Sequence, residues 1–277
     1  MKKNYETFNT RQEMVSNTYE IFHYHDARKR VIPLHHHDFY EIYLFLNGQV
    51  EYRIDSNVYE LKSTDILLFP PNTFHQPLVN SSKPYERIVL WINSKYLKQI
   101  VGKDNLLDCF SKSHILSTGN SFDAIQSMLL SIISENKKDD KYKDIYIKSV
   151  LISLLCELNR LSLNAQPQII NNRQNPTLNK ILAYINDNYT YNIKLDDIAK
   201  AVYLDKYYLS HLFTKEVGSS IHQYIKKKRL VDAKDLLEKG YSPIEVSKKV
   251  GFGDYTNFYR AYKDEYNVSP KISKHPN

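Results

Sequence analysis

Cysteine is scarce in this sequence, and long apolar runs are missing from it. Its two cysteines, Cys109 and Cys156, are too few for a disulfide-stapled scaffold and lack the spacing of a metal-binding knuckle, so both indicate thiols in a reducing compartment. No run of eighteen apolar residues occurs, which excludes a membrane-spanning helix. The residues from Met1 to Glu6 are basic at first, but no apolar segment follows them, so they do not predict a secretion signal. We expect a cytoplasmic protein with no membrane partner.

The overall composition is that of a globular protein, and the length suits two domains. Hydrophobic residues make up 42% and charged residues 25% of the 277 positions, which excludes wholesale disorder and fibrous repeats. The net charge of +7 is concentrated at one end: residues 177–277 contain 17 Lys and Arg against 12 Asp and Glu, a net +5, and the remainder carries +2. This excess favours a polyanionic partner, although a basic domain without such a partner has the same charge.

The first half of the sequence, from Val31 to about Trp91, has the pattern of short β-strands. Four runs are rich in β-branched and aromatic residues: Glu41–Leu46, Val50–Ile54, Ile66–Phe69 and Arg87–Trp91. Turn-forming pairs such as Asn47-Gly48 and Pro70-Pro71 separate them. Several short strands at this spacing predict a sandwich or a small barrel.

From Ser121 to Asn164 the apolar periodicity becomes helical. One continuous stripe is formed by Ile147, Val150, Leu151, Leu154, Leu155, Leu158 and Leu161. A helix with such a stripe either packs on the strands or pairs with its copy in a homodimer, and the sequence leaves both alternatives open. Residues 165–176 are polar, contain two prolines and show no periodicity, which predicts a linker.

Residues 195–217 have the pattern of a helix-turn-helix unit. A short amphipathic helix begins at Asp196 and Asp197, whose acidic side chains suit the positive end of a helix. Asp205 is a good N-cap for a second helix, which Gly218 ends. Two short helices with a tight turn between them are typical of a DNA-reading unit, although an ordinary helical hairpin shares this pattern.

The same pattern occurs a second time, 48 residues further along the chain. Val246, Val250 and Phe252 repeat the spacing of Ile198, Val202 and Leu204. Between the copies, residues 221–238 have helical periodicity, and this helix would hold the two units at a fixed separation. Its basic run over 226–229 is either a solvated face or lies near phosphates. The duplication argues against a plain helical hairpin and against a general protein-interaction module.

The second copy carries a specific motif. It reads Gly251-Phe252-Gly253-Asp254, then Phe258, then Tyr262-Lys263 and finally Asn267-Val268-Ser269-Pro270. With this motif, residues 177–272 resemble the paired helix-turn-helix domain of the AraC family of bacterial transcription regulators. Tyr203 departs from the family pattern, which usually has glycine in the first turn, and we expect it to change the turn angle. Asn267 also replaces a usual glycine, but asparagine tolerates the left-handed backbone.

The resemblance implies two reading helices that enter successive major-groove segments on one face of double-stranded DNA. Side chains that can reach base edges by type and phase are Ser210, His211, Thr256, Asn257 and Arg260. Lys206, Lys215 and Lys263 are the expected phosphate contacts, and Tyr207 lies on the same outward face. Arg260 is our strongest individual choice. RNA polymerase is a further implied partner if the protein is an activator.

Two short motifs lie in the strand-rich half. The first reads His35-His36-His37-Asp38-Phe39-Tyr40-Glu41 and is followed after six residues by Gly48, and the second begins at Ser63-Thr64-Asp65 and closes with His75. Together they resemble the two motifs of cupin barrels, with Thr64 and Asn72 at positions where glycine is usual. Many AraC-family regulators carry such a barrel as their effector-binding domain. The resemblance therefore implies a small-molecule effector, and a sugar is the family-level expectation.

The predicted effector pocket consists of His35, His37, Tyr40, Glu41, Tyr43, His75 and Trp91. Among these, His35, His37, Glu41 and His75 occupy the positions that bind a divalent metal in cupin enzymes, and this set would suit Fe, Mn, Ni or Zn. Regulatory relatives often keep part of the set without holding metal, so we predict no metal and no other cofactor. The alternative is a metal-dependent cupin enzyme with an appended helical domain, which bound metal together with turnover would favour.

The sequence thus predicts a two-domain fold for a regulator that is not an enzyme. An N-terminal all-β cupin-like barrel is followed by helices, and an all-α C-terminal domain contains two helix-turn-helix units. The predicted boundaries are 1–120 for the barrel, 121–164 for the helical, packing or dimerising segment, 165–176 for the linker and 177–277 for the DNA-binding domain. The function expected from this organisation is sequence-specific transcription regulation in response to a small molecule.

Overall fold

The computed structural model of the chain describes residues 5, 6, 8, 11–26, 32–54, 57–79, 83–102, 105–112, 114–163, 165, 176–266 and 268–271. The chain divides into two units, residues 1–171 and 172–277. The first unit is rich in strands and ends in helices, and the second is helical throughout its described part. This architecture confirms the predicted fold class. Within the described residues, each helix is too short or too polar to span a bilayer.

The described part of the first unit contains eight strands in two antiparallel sheets. They are β1 (Tyr19–Asp26), β2 (Tyr40–Asn47), β3 (Glu51–Ile54), β4 (Asn57–Glu60), β5 (Asp65–Phe69), β6 (His75–Leu78), β7 (Tyr85–Ile92) and β8 (Ile115–Ser117). One sheet has the strand order β1-β7-β2-β5-β8 and the other has the order β4-β3-β6. The four predicted runs correspond to β2, β3, β5 and β7. Strand β1 escaped prediction because glutamate, histidine and aspartate interrupt its apolar residues.

Four α-helices follow among the residues that the structure describes in this unit: α1 (Ser94–Val101), α2 (Cys109–Lys112), α3 (Phe122–Glu135) and α4 (Lys143–Leu163). The apolar stripe of α4 is used in the core, because Ile147, Leu151 and Leu158 are fully buried in one cluster with Leu44 and Leu90 of the sheet. Of the two roles that the sequence left open for this stripe, packing on the strands is therefore the one observed.

The alternation of side chains along the strands gives the larger sheet two different faces. Ile42 and Leu44 of β2 face the helices and join their aliphatic core. Tyr43 and Phe45, on the opposite face, join an aromatic cluster that also contains Tyr52 of the smaller sheet. Of the cupin-like motif residues, His37, Glu41 and His75 are buried on this aromatic side, where they contact Phe39, Trp91 and Phe69 respectively.

Over the described residues 176–266 and 268–271, the second unit has six helices: α5 (Pro176–Asn188), α6 (Leu195–Ala201), α7 (Lys206–Val217), α8 (Ile221–Glu238), α9 (Pro243–Lys249) and α10 (Tyr255–Tyr266). Asp205 caps α7 by accepting hydrogen bonds from the backbone N–H groups of Tyr207 and Tyr208, and Gly218 ends it in the left-handed conformation, as predicted. Pro176 was predicted to be in the linker but begins α5, because the fixed φ of proline suits the first helical turn. The remaining linker positions, 166–175, lie outside the described residues, as does Asn267.

The two helix-turn-helix turns have the same backbone, contrary to our expectation for Tyr203. Tyr203 has φ 57° and Gly251, its counterpart, has φ 87°, so both are left-handed. In the first turn the N–H of Leu204 donates to the carbonyl of Ala199, and in the second the N–H of Phe252 donates to the carbonyl of Ser247, each at 2.9 Å. Tyrosine therefore does not change the turn but occupies a conformation that costs an L-residue about 1–2 kcal/mol.

Candidate functional sites in the strand-rich and helical units

Strand register brings the polar residues of the first motif against those of β5 and β7. Glu41 of β2 is paired with Phe69 on one side and with Trp91 on the other, so the three side chains form a row on the aromatic face. The indole Nε1 of Trp91 donates a 2.9 Å hydrogen bond to Oε2 of Glu41. The buried carboxylate is thereby fixed at the centre of the space between the sheets.

His37 and His75 lie beside this carboxylate, His35 lies next to His75, and each of the three rings turns its Nδ1 atom toward a backbone carbonyl. The acceptors are Pro33 for His35, Phe39 for His37 and Thr73 for His75, each at 2.9 Å. A carbonyl oxygen only accepts, so each Nδ1 must carry a hydrogen and donate it. In the neutral forms of His35 and His75 the lone pair therefore lies on Nε2, as it commonly does in metal-ligating histidines, whereas Nε2 of His37 also forms a hydrogen bond with Oε2 of Glu41.

The Nε2 atoms of two of these histidines converge on one oxygen. Nε2 of His37 lies 3.0 Å and Nε2 of His75 lies 3.9 Å from Oε2 of Glu41. Burial, and then the neighbouring His35 and His37, hold the pKa of His75 well below its ordinary value. His75 is therefore neutral near pH 7, and its Nε2 has no hydrogen-bond partner among the described residues. A lone pair that faces a carboxylate is repelled unless a proton or a cation lies between them.

This donor set fits a divalent transition metal. The ligand atoms of His37, Glu41 and His75 all lie within 4.8 Å of one another, and the ring centroid of His35 is 4.4 Å from that of His75. Two of the rings are held by stacking, His37 on Phe39 at 3.9 Å and His75 on Phe69 at 4.0 Å between centroids. Imidazole nitrogens and a carboxylate are ligands that Fe, Mn, Ni or Zn accept.

A cavity of about 40 Å³ lies beside this cluster, between the sheets. Of the predicted pocket residues, His35, Glu41 and Trp91 line it. His37, Tyr43 and His75 are buried in the same aromatic region without lining the cavity. Tyr40 does not belong to the site: it lies on the opposite face of β2, where its ring packs on Phe110 at 4.7 Å. The prediction that Tyr40 lines the pocket is wrong because side chains alternate between the two faces of a strand, and position 40 lies on the other face from Glu41 and Tyr43.

The cavity also has lining residues that the sequence analysis missed. Arg87 is the most informative of these, because its buried guanidinium pairs with Asp26 and lies 4.1 Å from the ring centroid of Tyr85 and 4.8 Å from that of Tyr24. Positions 85, 87 and 89 share a face with Trp91, so counting back by twos from Trp91 would have found them. Phe8 and Arg11, from the segment that precedes β1, cover the cavity from one side.

The predicted DNA-contacting side chains lie on the outward faces of α7 and α10. Exposed residues are Lys206, Tyr207, His211, Lys215, Thr256, Asn257, Arg260 and Lys263, whereas Ser210 is half-buried. The opposite faces of the two helices hold the core, where Leu209 and Phe213 of α7 and Phe258 of α10 are fully buried. The outward residues are therefore available for a partner without any loss of packing.

The second reading helix begins at a well-defined cap. The backbone N–H of Asn257 donates a 2.9 Å hydrogen bond to Oδ1 of Asp254. Lys206, at the start of the first reading helix, has its Nζ 3.6 Å from Oδ1 of Asp196 and 5.7 Å from the ring centroid of Tyr207. Tyr203 and Tyr208 are further exposed aromatic residues of this unit that the sequence analysis did not include among the contacts.

Each of the two units matches a known domain family. The AraC-like ligand binding domain matches residues 17–155, and a helix-turn-helix domain matches residues 198–272. The uncharacterized HTH-type transcriptional regulator YbfI of Bacillus subtilis is 26% identical over 231 residues, which cover 81% of this chain and 80% of that protein. The Msm operon regulatory protein of Streptococcus mutans is 26% identical over 236 residues, 84% of this chain and 83% of that one.

A solved structure of ToxT from Vibrio cholerae covers 94% of this chain and 100% of its own, with 14% identity and a TM-score of 0.38. The family matches define a transcription regulator with an N-terminal ligand-binding domain and a C-terminal helix-turn-helix DNA-binding domain. This chain belongs to the AraC family of transcription regulators.

Proposed function

We propose that this chain binds a specific duplex DNA sequence through both reading helices and responds to a small molecule held between the two sheets. DNA binding is supported mainly by the duplicated helix-turn-helix unit, which has the same turn backbone in both copies. In each copy the turn is followed by a reading helix whose outward face is polar and exposed. Two such helices on one compact unit suit two successive major-groove segments.

The individual DNA contacts follow from side-chain chemistry. Arg260 and Asn257 have planar groups that can pair with base edges, and Thr256, Ser210 and His211 have smaller donors or acceptors on the same faces. Lys206, Lys215 and Lys263 supply point charges for phosphates, and Tyr207 adds a hydroxyl and a ring beside Lys206. The net charge of +5 over residues 177–277 supports attraction to a polyanion.

The effector site combines aromatic rings with a few buried polar groups, an arrangement that suits a polyol such as a sugar. Trp91 and Tyr52 offer ring faces, and Glu41, His35 and Arg87 offer acceptors and donors. One relative, the lactose operon transcription activator of Staphylococcus xylosus, is 22% identical over 239 residues, 84% of this chain. Its name supports a carbohydrate effector for this chain as well.

Effector binding requires the site to open. The present cavity of about 40 Å³ is far below the several hundred Å³ of ordinary ligand pockets. Phe8 packs edge-on against Tyr24 at 5.1 Å, and the guanidinium of Arg11 lies 5.6 Å from the ring centroid of Trp91. Withdrawal of these two side chains would enlarge the site, so effector binding would be coupled to the position of the segment that precedes β1.

Homodimer formation is a further part of the proposal. The outer face of α4 exposes Ile145, Tyr146 and Ile152, and Tyr142 is exposed just before the helix. These side chains form an apolar surface that a second copy would cover. A dimer would place two DNA-binding units on one operator and raise the effective concentration of the second. Residence in the cytoplasm and contact with RNA polymerase, should the protein activate transcription, also belong to this proposal.

Selection of bound fragments from the genome of the source organism tests the central claim. Purified full-length protein should enrich a small number of fragments that share a motif, and its affinity for them should fall steeply with salt because phosphate contacts release counterions. The genes beside the enriched fragments would indicate the effector class. Enrichment without a shared motif, or no retention at low salt, would refute sequence-specific binding.

A second candidate role for the strand-rich unit is metal binding, and the histidine tautomers favour it. The buried Nε2 of His75 lacks a hydrogen-bond partner among the described residues, and the cluster has suitable ligand types. A divalent metal bound by His37, Glu41 and His75, with His35 beside them, would supply an electrostatic anchor for an effector oxygen. The residues themselves orient the site through their carbonyl hydrogen bonds.

Elemental analysis distinguishes a metal site in the strand-rich unit from an effector pocket without metal. On the metal hypothesis, protein purified without chelators contains about one equivalent of a transition metal per chain, and the double variant His37→Ala/His75→Ala loses it. His211→Ala removes an exposed histidine of the helical unit and serves as the control, with metal content unchanged. Metal content well below one equivalent would instead favour the pocket without metal that the sequence predicts.

A further inference from the structure

The helical unit contains a second concave site that has no part in the effector pocket. A cleft of about 340 Å³ lies where the two helix-turn-helix halves meet α8. Its walls come from the loop between α5 and α6, from one face of α8, and from the turn and outer face of α10. Its volume falls within the range of about 300–1,000 Å³ that is usual for small-molecule sites.

The lining of the cleft includes an apolar surface, which we call its floor, and two basic side chains. Ile193, Ile225 and Phe252 supply hydrophobic surface. Lys226 and Arg229 lie on the same side of α8, and no acidic side chain lines the cleft within the described part of the chain. An apolar floor with two cationic groups at its edge is complementary to an amphipathic anion.

Arg229 is held rigidly and keeps its charge. Its Nε donates to the carbonyl of Tyr189 at 2.7 Å, and its Nη2 donates to the carbonyl of Tyr191 at 2.8 Å. Both acceptors are neutral, so neither cancels the positive charge. The guanidinium carbon lies 5.9 Å from the ring centroid of Phe252, which places the charge beside the apolar floor.

Lys226 is the lysine of the 226–229 run that the cleft can use. It is half-buried and, among the described residues, has neither an ion pair nor a hydrogen-bond partner. Its neighbour Lys227 is directed elsewhere, since its Nζ lies 3.9 Å from Oε1 of Glu265. Lys228 is engaged with the rings of Tyr189 and Tyr224. The charge of Lys226 is therefore available to a ligand in the cleft.

We propose that this cleft binds a small amphipathic organic anion, with its apolar body on Ile193, Ile225 and Phe252 and its carboxylate between Lys226 and Arg229. A bare phosphate or a phosphodiester of DNA would meet the same cations. It fits the site less well, because it would bury the apolar floor against a fully polar group and gain nothing from that contact.

Occupation of the cleft should weaken DNA binding, a consequence that rests on the proposed function. Asn257 lines the cleft and is one of the side chains proposed to reach base edges. The cleft also contacts both halves of the unit, so a bound molecule would act on the spacing of the two reading helices. A ligand of the cleft is therefore expected to antagonise operator binding, independently of the effector between the sheets.

Titration of the full chain with a defined probe tests the site. Ligand-detected NMR should show saturable binding of 4-phenylbutyrate with a Kd of about 1 mM, the affinity expected for a ligand of about twelve non-hydrogen atoms. The neutral analogue 4-phenylbutan-1-ol and inorganic phosphate should bind at least about tenfold more weakly, because each lacks one half of the recognised chemistry.

Two variants locate the binding. Lys226→Gln should weaken it about tenfold, whereas Lys227→Gln, which changes the charge equally, should leave it unchanged. Gly253→Leu should abolish it by filling the cleft, since Gly253 lines the cleft and an added Cβ there would meet no atom within 4 Å. Circular dichroism checks that each variant is folded. If Gly253→Leu does not fold, Lys226→Gln alone tests whether the probe binds in the cleft.

The remaining outcomes overturn the proposal. The proposed site is refuted if the probe does not bind at about 10 mM, or if it binds equally to the Lys226→Gln and parent chains. Phosphate binding as tight as that of the probe, with the same dependence on Lys226, assigns the cleft to phosphodiester instead.

At saturation the probe should weaken operator binding of the parent chain but not of Gly253→Leu. Failure of the chain to bind any DNA would refute the proposed function, while the NMR titration would still decide the cleft.

Discussion

Replacement of Gly251 by alanine should lower the free energy of unfolding of the helical unit by roughly 3 kcal/mol or more, a loss of the size that backbone strain combined with a steric overlap produces. Gly251 has φ +87°, where a side chain is strained. An added Cβ would also lie 2.3 Å from the carbonyl oxygen of Thr190 and 2.7 Å from its carbonyl carbon, far inside contact distance.

The loop that carries Thr190 cannot move aside cheaply. Its neighbours Tyr189 and Tyr191 both accept hydrogen bonds from Arg229, so a shift that relieves the overlap would break one or both of them. Urea denaturation followed by circular dichroism measures the effect, and the loss should appear in the transition of the helical unit. A change smaller than about 1 kcal/mol would mean that the loop yields and that the contact is not rigid.

Tyr203 provides the matched control, because it occupies the same position in the first copy. Its φ of 57° is strained for tyrosine, and its side chain is 94% exposed and so contributes little packing. Tyr203→Gly should therefore raise the free energy of unfolding by up to about 1 kcal/mol, the strain relief being partly offset by the greater freedom of glycine in the unfolded chain. Opposite signs for the two substitutions are the expected signature.

Arg260→Ala should cost roughly 1–3 kcal/mol of binding free energy on the preferred operator and much less on scrambled duplex. Arg260 is exposed on α10, whereas Phe258 and Tyr262 are buried on its inner side, so truncation leaves the packing intact. The planar guanidinium can donate two hydrogen bonds to a guanine edge, and scrambled DNA offers no guanine in the required place.

Lys263→Ala is the control for general electrostatics. Lys263 lies about one turn further along α10, is also exposed, and carries a point charge on a flexible stem. Its loss should weaken binding to operator and scrambled duplex similarly and lower the salt slope by about 1. Titrations of both variants at several salt concentrations make the comparison. Equal weakening of both duplexes by Arg260→Ala would make Arg260 a phosphate contact and refute its assignment to base reading.

Much of the helical unit could be predicted because its boundaries depend on local chemistry. The cap at Asp205, the left-handed glycine at Gly218 and the periodicity of residues 221–238 gave α7 and α8 with their observed limits. The first turn was harder, because a tyrosine in the left-handed region has no local signal. Its alignment with Gly251 in the second copy would have indicated this backbone, but we expected the tyrosine to change the turn angle instead.

The strand-rich site was predicted less completely, because strand register is not visible in one sequence. The cupin-like motifs identified Glu41, His37 and His75, which the structure does bring together. Arg87 could not be singled out by motif, because its role depends on β7 lying beside both β1 and β2. The cleft of the helical unit likewise depends on three segments that are distant in sequence.

The anchoring of Arg229 to the loop after α5 has a consequence for protein engineering. Because Thr190 abuts Gly251 while its two neighbours are bound by α8, the loop acts as a spacer shared by both helix-turn-helix halves. Exchange of one half between related regulators would therefore separate surfaces that fit each other. Chimeras that transfer residues 189–191 together with 229 and 251 should retain stability. Crossovers at the middle of α8 would instead produce hybrids in which the loop at 189–191 no longer fits the residue at position 251.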